Sequence, residues 1–185
     1  MQTAQFAQRI VDELHHAAEQ LTNEDAEKLV EQILISNKIF VTGAGRSGLM
    51  GKAFAMRMMH MGLDSYVVGE TVTATYEEDD ILIIGTGSGE TKSLIPMVEK
   101  AKSIGGTVAV VTINPESTLG RLADITVQLP GAPKDQTTSE YRTIQPMGSL
   151  FEQTLLLFYD AIILRFMEKK GLDSQTMYGK HANLE

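Results

Sequence analysis

The chain has 185 residues, 43% of them hydrophobic, which is long enough for one substantial core, and no break in composition marks a second domain. Its formal net charge of −8 argues against a general nucleic-acid surface, since phosphate backbones are held by clustered Lys and Arg. Cysteine is absent, so disulfides and thiolate chemistry are excluded and zinc would have to rest on scattered histidines and carboxylates.

The N-terminal stretch MQTAQFAQRIVDEL mixes acids and amides with its apolar residues, unlike a signal peptide. Within it begins a stripe of Phe6, Ile10, Leu14, Ala18 and Leu21 that predicts a first helix, and a second is expected near TNEDAEKL, with Thr22 and Asp25 as a capping pair. Apolar runs bounded by turn residues then recur at KIFVTG, SYVVGE, DILIIG, TVAVVT and ITVQLP, rich in β-branched residues, as strands buried on both faces are. Between them lie helical segments, RSGLMGKAFAMRMMHMG, ETKSLIPMVEKAKSIG and the shorter PESTLGRLAD. Alternation at this spacing predicts βαβ units, hence a five-stranded parallel sheet covered on both sides: an α/β three-layer sandwich of the flavodoxin-like kind.

A last helix is expected from Ser149 to Lys170, ahead of Gly171. Its segment LLLFYDAIILRFM is apolar around most of its circumference, more than one packing face requires, so it is either a central core helix or, the preferred reading, partly buried against another subunit. Asp160 and Arg165 interrupt it, and it is shorter than the roughly 20 apolar residues of a membrane span. A soluble cytoplasmic protein is expected, organised as one domain with an N-terminal helical pair (1–36), an α/β core (37–170) and a C-terminal tail (171–185). The ten methionines suit adaptable packing and imply no cofactor.

Two loops could carry chemistry. The first strand ends in GAGRSG, where Gly43, Gly45 and Gly48 satisfy the dinucleotide pattern G-x-G-x-x-G and Glu70 lies about where a ribose-binding acid would. The plain alternative is a tight turn that needs glycine. A second glycine loop after the third strand, GTGSGET, argues for a smaller ligand, because a dinucleotide fold places its phosphate signal once. A P-loop fails, with Arg46 where glycine is required and Ala53 where a hydroxyl should hold magnesium, and neither Ser47 nor Ser88 lies in G-x-S-x-G. In TGSGET, Thr86, Ser88 and Thr91 offer hydroxyls, glycines allow close backbone approach, and a following helix would add its unpaired amides, an arrangement that suits a phosphate monoester. Ser88 could instead only cap that helix, and Lys92 either assists the phosphate or is a solvated surface residue.

Taken together, GAGRSGLMGKAFAMRMMHMG, GSGETKSL, TINPESTLGRLAD, TIQPMGSLFEQTLLLFYDAI and the terminal HANLE resemble the sugar isomerase (SIS) domain family and, within it, the 6-phospho-3-hexuloisomerases, over essentially the whole chain. Thr86 stands where many SIS loops have serine, a departure that keeps the hydroxyl. The resemblance implies a metal- and cofactor-independent isomerase of a phosphorylated ketohexose, interconverting 3-hexulose 6-phosphate and fructose 6-phosphate through a cis-enediol in the ribulose monophosphate pathway of formaldehyde fixation. It implies Glu152 as the proton acceptor, substrate contacts at Ser47, Gly87, Ser88, Gly89, Glu90, Thr91 and Lys92, a homo-oligomer, most simply a tetramer, and functional coupling to 3-hexulose-6-phosphate synthase.

Read from residues alone, SLFE is also a capping box in which Ser149 and Glu152 satisfy each other. His60 and His181 could polarise a carbonyl or open the sugar ring, His181 from a neighbouring subunit, or each could be an ordinary histidine. Glu90 is an alternative base. Two other functions stay open at this level: a non-catalytic sugar-phosphate sensor, against which the acidic N-terminal helices offer no DNA reader, and an isomerase of heptose or arabinose phosphates, whose zinc-dependent form would need a His/Glu cluster that the sequence lacks.

Overall fold

The computed structural model describes residues 1–134 and 142–184. Helices α1 (Thr3–Glu19) and α2 (Asn23–Ile35) precede β1 (Ile39–Gly43), α3 (Gly45–His60), β2 (Ser65–Val67), β3 (Ile81–Gly85), α4 (Ile95–Ile104), β4 (Thr107–Thr112), α5 (Thr118–Leu122), β5 (Ile125–Gln128), α6 (Ser149–Lys170) and α7 (Ser174–Tyr178). All five strands among the described residues are parallel, in the order β2-β1-β3-β4-β5.

Strand alternation divides the core in two. Ile39, Val41, Ile81, Ile83, Ala109 and Val111 face α2, α3 and α6, while Phe40, Leu82, Ile84, Val108 and Val110 face α4 and α5. The three-layer α/β sandwich expected from the sequence is therefore the observed one. α6 supplies the first layer with Phe151, Leu155, Phe158, Tyr159, Ile162 and Phe166, all buried. Each such side chain removed from water stabilises the fold by about 1.5–3 kcal/mol. Tyr159 stacks on Phe54 of α3 with ring centroids 4.2 Å apart, which locks α3 and α6 side by side.

Several local expectations change. α4 starts at Ile95 and not near Glu90. Pro96 is the reason: without an N–H, and with a ring that clashes one turn back, it is tolerated in the first turn and not in a helix interior. Thr22 precedes α2 but its side chain makes no cap bond, and Asp25 pairs with Lys28 at 3.0 Å. The α1 stripe is also less buried than its pattern suggests: Phe6 and Ala18 are exposed, Ile10, Leu14 and Leu21 are half-buried, and Ala17 is the fully buried residue of that helix.

The turn from β1 into α3 is tight enough to select its glycine. A Cβ at residue 48 would lie 2.5 Å from the carbonyl oxygen of Gly43, a contact made by rigid backbone. Gly48→Ala is therefore expected to cost about 1–3 kcal/mol, the range for overpacking, seen as a fall of several degrees in Tm; a thermal melt of the variant beside the parent measures it.

Candidate active site

β1 and β3 are neighbours whose last residues, Gly43 and Gly85, stand opposite each other in register. The chain leaves β1 toward β2 and β3 toward β4, on opposite sides, so a crevice opens at the shared carboxyl edge, where ligands of open α/β sheets bind. A cavity of about 270 Å³ lies there, at the small end of ligand pockets. Its wall is made by Ala44 and Ser47 from the first turn, residues 85–88 and Thr91 from the second loop, Ile113 after β4, and Ala132, Pro133 and Lys134 after β5, closed by Gly148, Phe151 and Glu152 at the start of α6.

The second loop is pinned by its carbonyls. Gly87 O accepts from Ile113 N (3.2 Å) and Thr112 Oγ1 (3.1 Å), and Gly89 O accepts from Leu119 N (3.0 Å). Gly89 sits at φ 67, and a Cβ there would overlap Ser117 Oγ, so glycine is required where the loop crosses α5. The hydroxyls of Thr86, Ser88 and Thr91 are left to line the cavity, with Thr86 and Thr91 3.3 Å apart. Ser88 is not a helix cap, since α4 begins seven residues later; its Oγ accepts from Glu90 N at 3.2 Å and shapes the loop itself. Ser47, buried in the first turn of α3, adds a hydroxyl at a helix N-terminus, a position favourable to anions.

Glu152 is 9% exposed. Gly148, not Ser149, caps α6, so the capping-box reading of SLFE does not hold: Glu152 N donates to Gly148 O, and Ser149 is already inside the helix. Both side chains turn instead to Arg46, whose guanidinium lies 2.9 Å from the Glu152 carboxylate and donates to Ser149 Oγ, also at 2.9 Å. In the sequence Arg46 stands out only as a residue that spoils a P-loop. Its place between two loop glycines, beside Ser47, is the available signal; its partners lie about a hundred residues away and leave none. Lys134, which the sequence does not single out either, is the cation on the cavity wall among the described residues.

The other expected residues lie elsewhere. Gly89, Glu90 and Lys92 are not on the cavity wall. Glu90 accepts a hydrogen bond from Thr118 N at 2.8 Å at the start of α5, and that amide holds its carboxyl below the usual range. His60 ends α3, about 20 Å along the helix from Ser47 at 1.5 Å per residue. It stacks on His181 (5.3 Å between centroids) in a second cavity, of about 460 Å³, with Arg57, Asp160 and Tyr178. Burial, then the charge of Arg57, lowers the His60 pKa and keeps its imidazole neutral at neutral pH. Glu70, the acid of the dinucleotide reading, is paired with Lys52 on the surface. Among the described residues no group of three or more His, Asp or Glu could hold a metal, and no helix is long and apolar enough to cross a membrane.

A flavodoxin-like sheet with hydroxyl loops at the switch point is the arrangement of the SIS domain, whose family model matches residues 32–158; the chain belongs to that family. Within it, the chain sits with the 3-hexulose-6-phosphate isomerases. It is 60% identical to that enzyme of Bacillus subtilis over 185 residues, all of both chains, and 39% identical to that of Methanocaldococcus jannaschii over 158 residues, 85% of this chain and 83% of the other. The crystal structure of a Methanococcus jannaschii protein, for which a 3-hexulose-6-phosphate isomerase function was inferred, superposes with a TM-score of 0.83 at 33% identity, covering 98% of this chain and 99% of that one.

The Arg46 contact gives the geometry a direct test. Arg46→Lys keeps the charge but shortens the side chain and replaces the planar guanidinium whose Nη1 reaches both Glu152 and Ser149. A hydrogen bond to a charged group contributes about 1.5–3 kcal/mol, so turnover is expected to fall about tenfold to a hundredfold, measured as kcat in a coupled isomerase assay.

Proposed function

We propose that the chain interconverts 3-hexulose 6-phosphate and fructose 6-phosphate as one SIS domain, with Glu152 as the base. The observation that carries this is a buried carboxylate, fixed by Arg46, on the wall of a cavity that also presents the hydroxyls of Ser47, Thr86, Ser88 and Thr91. The hydroxyl loops take the phosphate, in keeping with an acidic protein that must build an anion site locally. The chain's place among the 3-hexulose-6-phosphate isomerases supports the substrate.

The chemistry needs one base and no oxidant. Glu152 removes the proton from C2 of the 3-ketose, beside the C3 carbonyl, and the electron pair forms the C2–C3 double bond of an enediolate whose charge rests on O3. Glu152 then returns its proton to C3 as the C2 carbonyl forms, and the proton that leaves the C2 hydroxyl is matched by one gained at O3, passed directly or through solvent, so the product is the neutral 2-ketose. Arg46, beside the carboxylate, stabilises the negative charge as it moves from Glu152 to the enediolate oxygens. The reaction belongs to the ribulose monophosphate pathway, and the product of a 3-hexulose-6-phosphate synthase is the natural supply of substrate, in the cytoplasm.

A homo-oligomer, most simply a tetramer, completes this reading. Leu49, Met56 and Met59 of α3 and Leu157 and Leu164 of α6 are all at least 39% exposed, on two helices packed together. Such apolar area is rarely left open on a monomer. His60 and His181 lie beside that face, too far from Glu152 of their own chain to act with it, so any part in ring opening falls to a site on a second copy. Light scattering that returned a 20.3 kDa monomer at micromolar concentration would remove both the assembly and the histidines' part in it.

For Glu152 the measurement is a pair of variants. Glu152→Gln keeps the shape and is expected to fold and to bind fructose 6-phosphate, but to lose turnover by about 10²–10⁴, the contribution of a positioned base, together with solvent deuterium exchange at the reacting carbons. Ser88→Ala is expected to do the reverse, raising KM with the smaller effect on kcat. Near-parental turnover in Glu152→Gln would remove the residue from the mechanism.

A further inference from the structure

α1 sends one side chain to the segment that leads into α6. Glu13 Oε2 accepts from Thr143 Oγ1 at 2.5 Å and from Gln145 Nε2 at 3.0 Å, and its Oε1 accepts from Ile144 N at 2.8 Å. Gln145 N in turn donates to Thr143 Oγ1 at 3.0 Å. One half-buried carboxylate thus organises three consecutive residues some 130 positions away, and Gln145 is only 5% exposed. Burial raises the Glu13 carboxyl pKa, but these donors and the charge of Arg9 outweigh it and hold it below the ordinary range, so the group is ionised and able to accept all three bonds.

Beyond residue 145 the chain runs directly toward Glu152. Met147 lies at φ 57, the one non-glycine residue at positive φ among those described, in a region L residues seldom occupy unless neighbours hold them there. Ser149 N then donates to Pro146 O, and Glu152 N to Gly148 O. Only residues 146–148 separate the bonded Gln145 from the helix, and on the far side Arg46 holds Ser149 and Glu152. The unusual turn is therefore gripped from both ends, by Glu13 before it and Arg46 after it. The core does not need Glu13: α1 buries only Ala17 completely, and the carboxylate is engaged by polar donors.

We infer that Glu13 is a positioning residue for the isomerase reaction, clamping residues 143–145 so that the Met147 turn delivers the first turn of α6, and with it Glu152, to the cavity wall. The inference rests on the reading of Glu152 as the base. It predicts an effect on turnover without an effect on the phosphate cradle, which hangs from β3, β4 and α5 and is held by separate bonds.

The test is Glu13→Gln, whose neutral amide cannot accept the same three bonds. With active sites counted by calorimetric titration with fructose 6-phosphate, so that a misfolded fraction cannot pass for slow chemistry, kcat per site is expected to fall about tenfold to a hundredfold, the scale of a misplacement of about 1 Å. KM should stay within about twofold. In the Glu152→Gln background the same change should make no further difference, because there is no base left to position. Parental kcat in Glu13→Gln, or an equal loss in the double variant, overturns the inference. If Glu13→Gln does not fold, Thr143→Val decides, since it removes one donor from the clamp: a smaller loss of kcat with unchanged KM supports the inference and parental kcat overturns it. Near-parental turnover in Glu152→Gln alone overturns the underlying reading and this one with it, and is recognised without any change at residue 13.

Discussion

The in-register pairing of Gly43 with Gly85 is the constraint on which the site depends. Two parallel neighbours must end on the same edge of the sheet, and their crossovers must leave on opposite faces because β2 and β4 lie on opposite sides of the β1–β3 pair. The Ser47 turn and the residues 86–91 loop are therefore side by side whatever their sequences. What the sequences add is room and hydroxyls. Gly48 lets α3 start against the end of β1, and Gly89 lets the second loop cross α5, so both can open toward one cavity without a bulky side chain between them.

The carboxylate arrives by a separate route. α6 packs beside α3 through the Phe54–Tyr159 stack, which brings its first turn level with the first turn of α3. Arg46 then ties the two helix starts together through Ser149 and Glu152. A half-exposed ion pair by itself contributes little to stability, and what this one fixes is orientation: it holds the Glu152 carboxylate in one place on the cavity wall. With a net charge of −8, the cavity carries its polar character locally: Lys134 and the hydroxyls of Ser47, Thr86, Ser88 and Thr91 lie on its wall, and Arg46 lies behind Glu152.

The sheet and its two loops are legible in the sequence because they depend on local pattern: β-branched runs of strand length, glycines at their ends, and helical segments between. The limits of α6 are legible for the same reason, with Gly171 in the left-handed conformation that ends a helix. Sequence and structure part where a local signal meets a stronger constraint. Pro96 moves the start of α4, and Gly148 takes the capping position that the pattern assigns to Ser149, which releases Ser149 and Glu152 to Arg46. The contacts of Arg46 and Glu13 are not legible at all. Their partners lie 103 and about 130 residues away, and no periodicity or spacing records a contact made across the fold.

α1 shows why such contacts fall outside pattern reading. Its apolar stripe predicts a buried face, yet Phe6 and Ala18 of that stripe remain exposed while a charged residue of the same helix makes its most specific contacts. A stripe measures affinity for any apolar surface, whether the same chain or a second copy provides it, whereas a carboxylate accepting from a threonine hydroxyl, a backbone amide and a glutamine amide fits one geometry only. The exposed apolar faces of α1, α3 and α6 and the His60–His181 stack then belong to the same question. Within one chain, Glu152 and the hydroxyls of Ser47, Thr86, Ser88 and Thr91 share a cavity, and the paired imidazoles lie in another. The proposed proton transfer at carbon uses only the first group. A step that used the imidazoles with that carboxylate would need a second copy of the chain set against those helices.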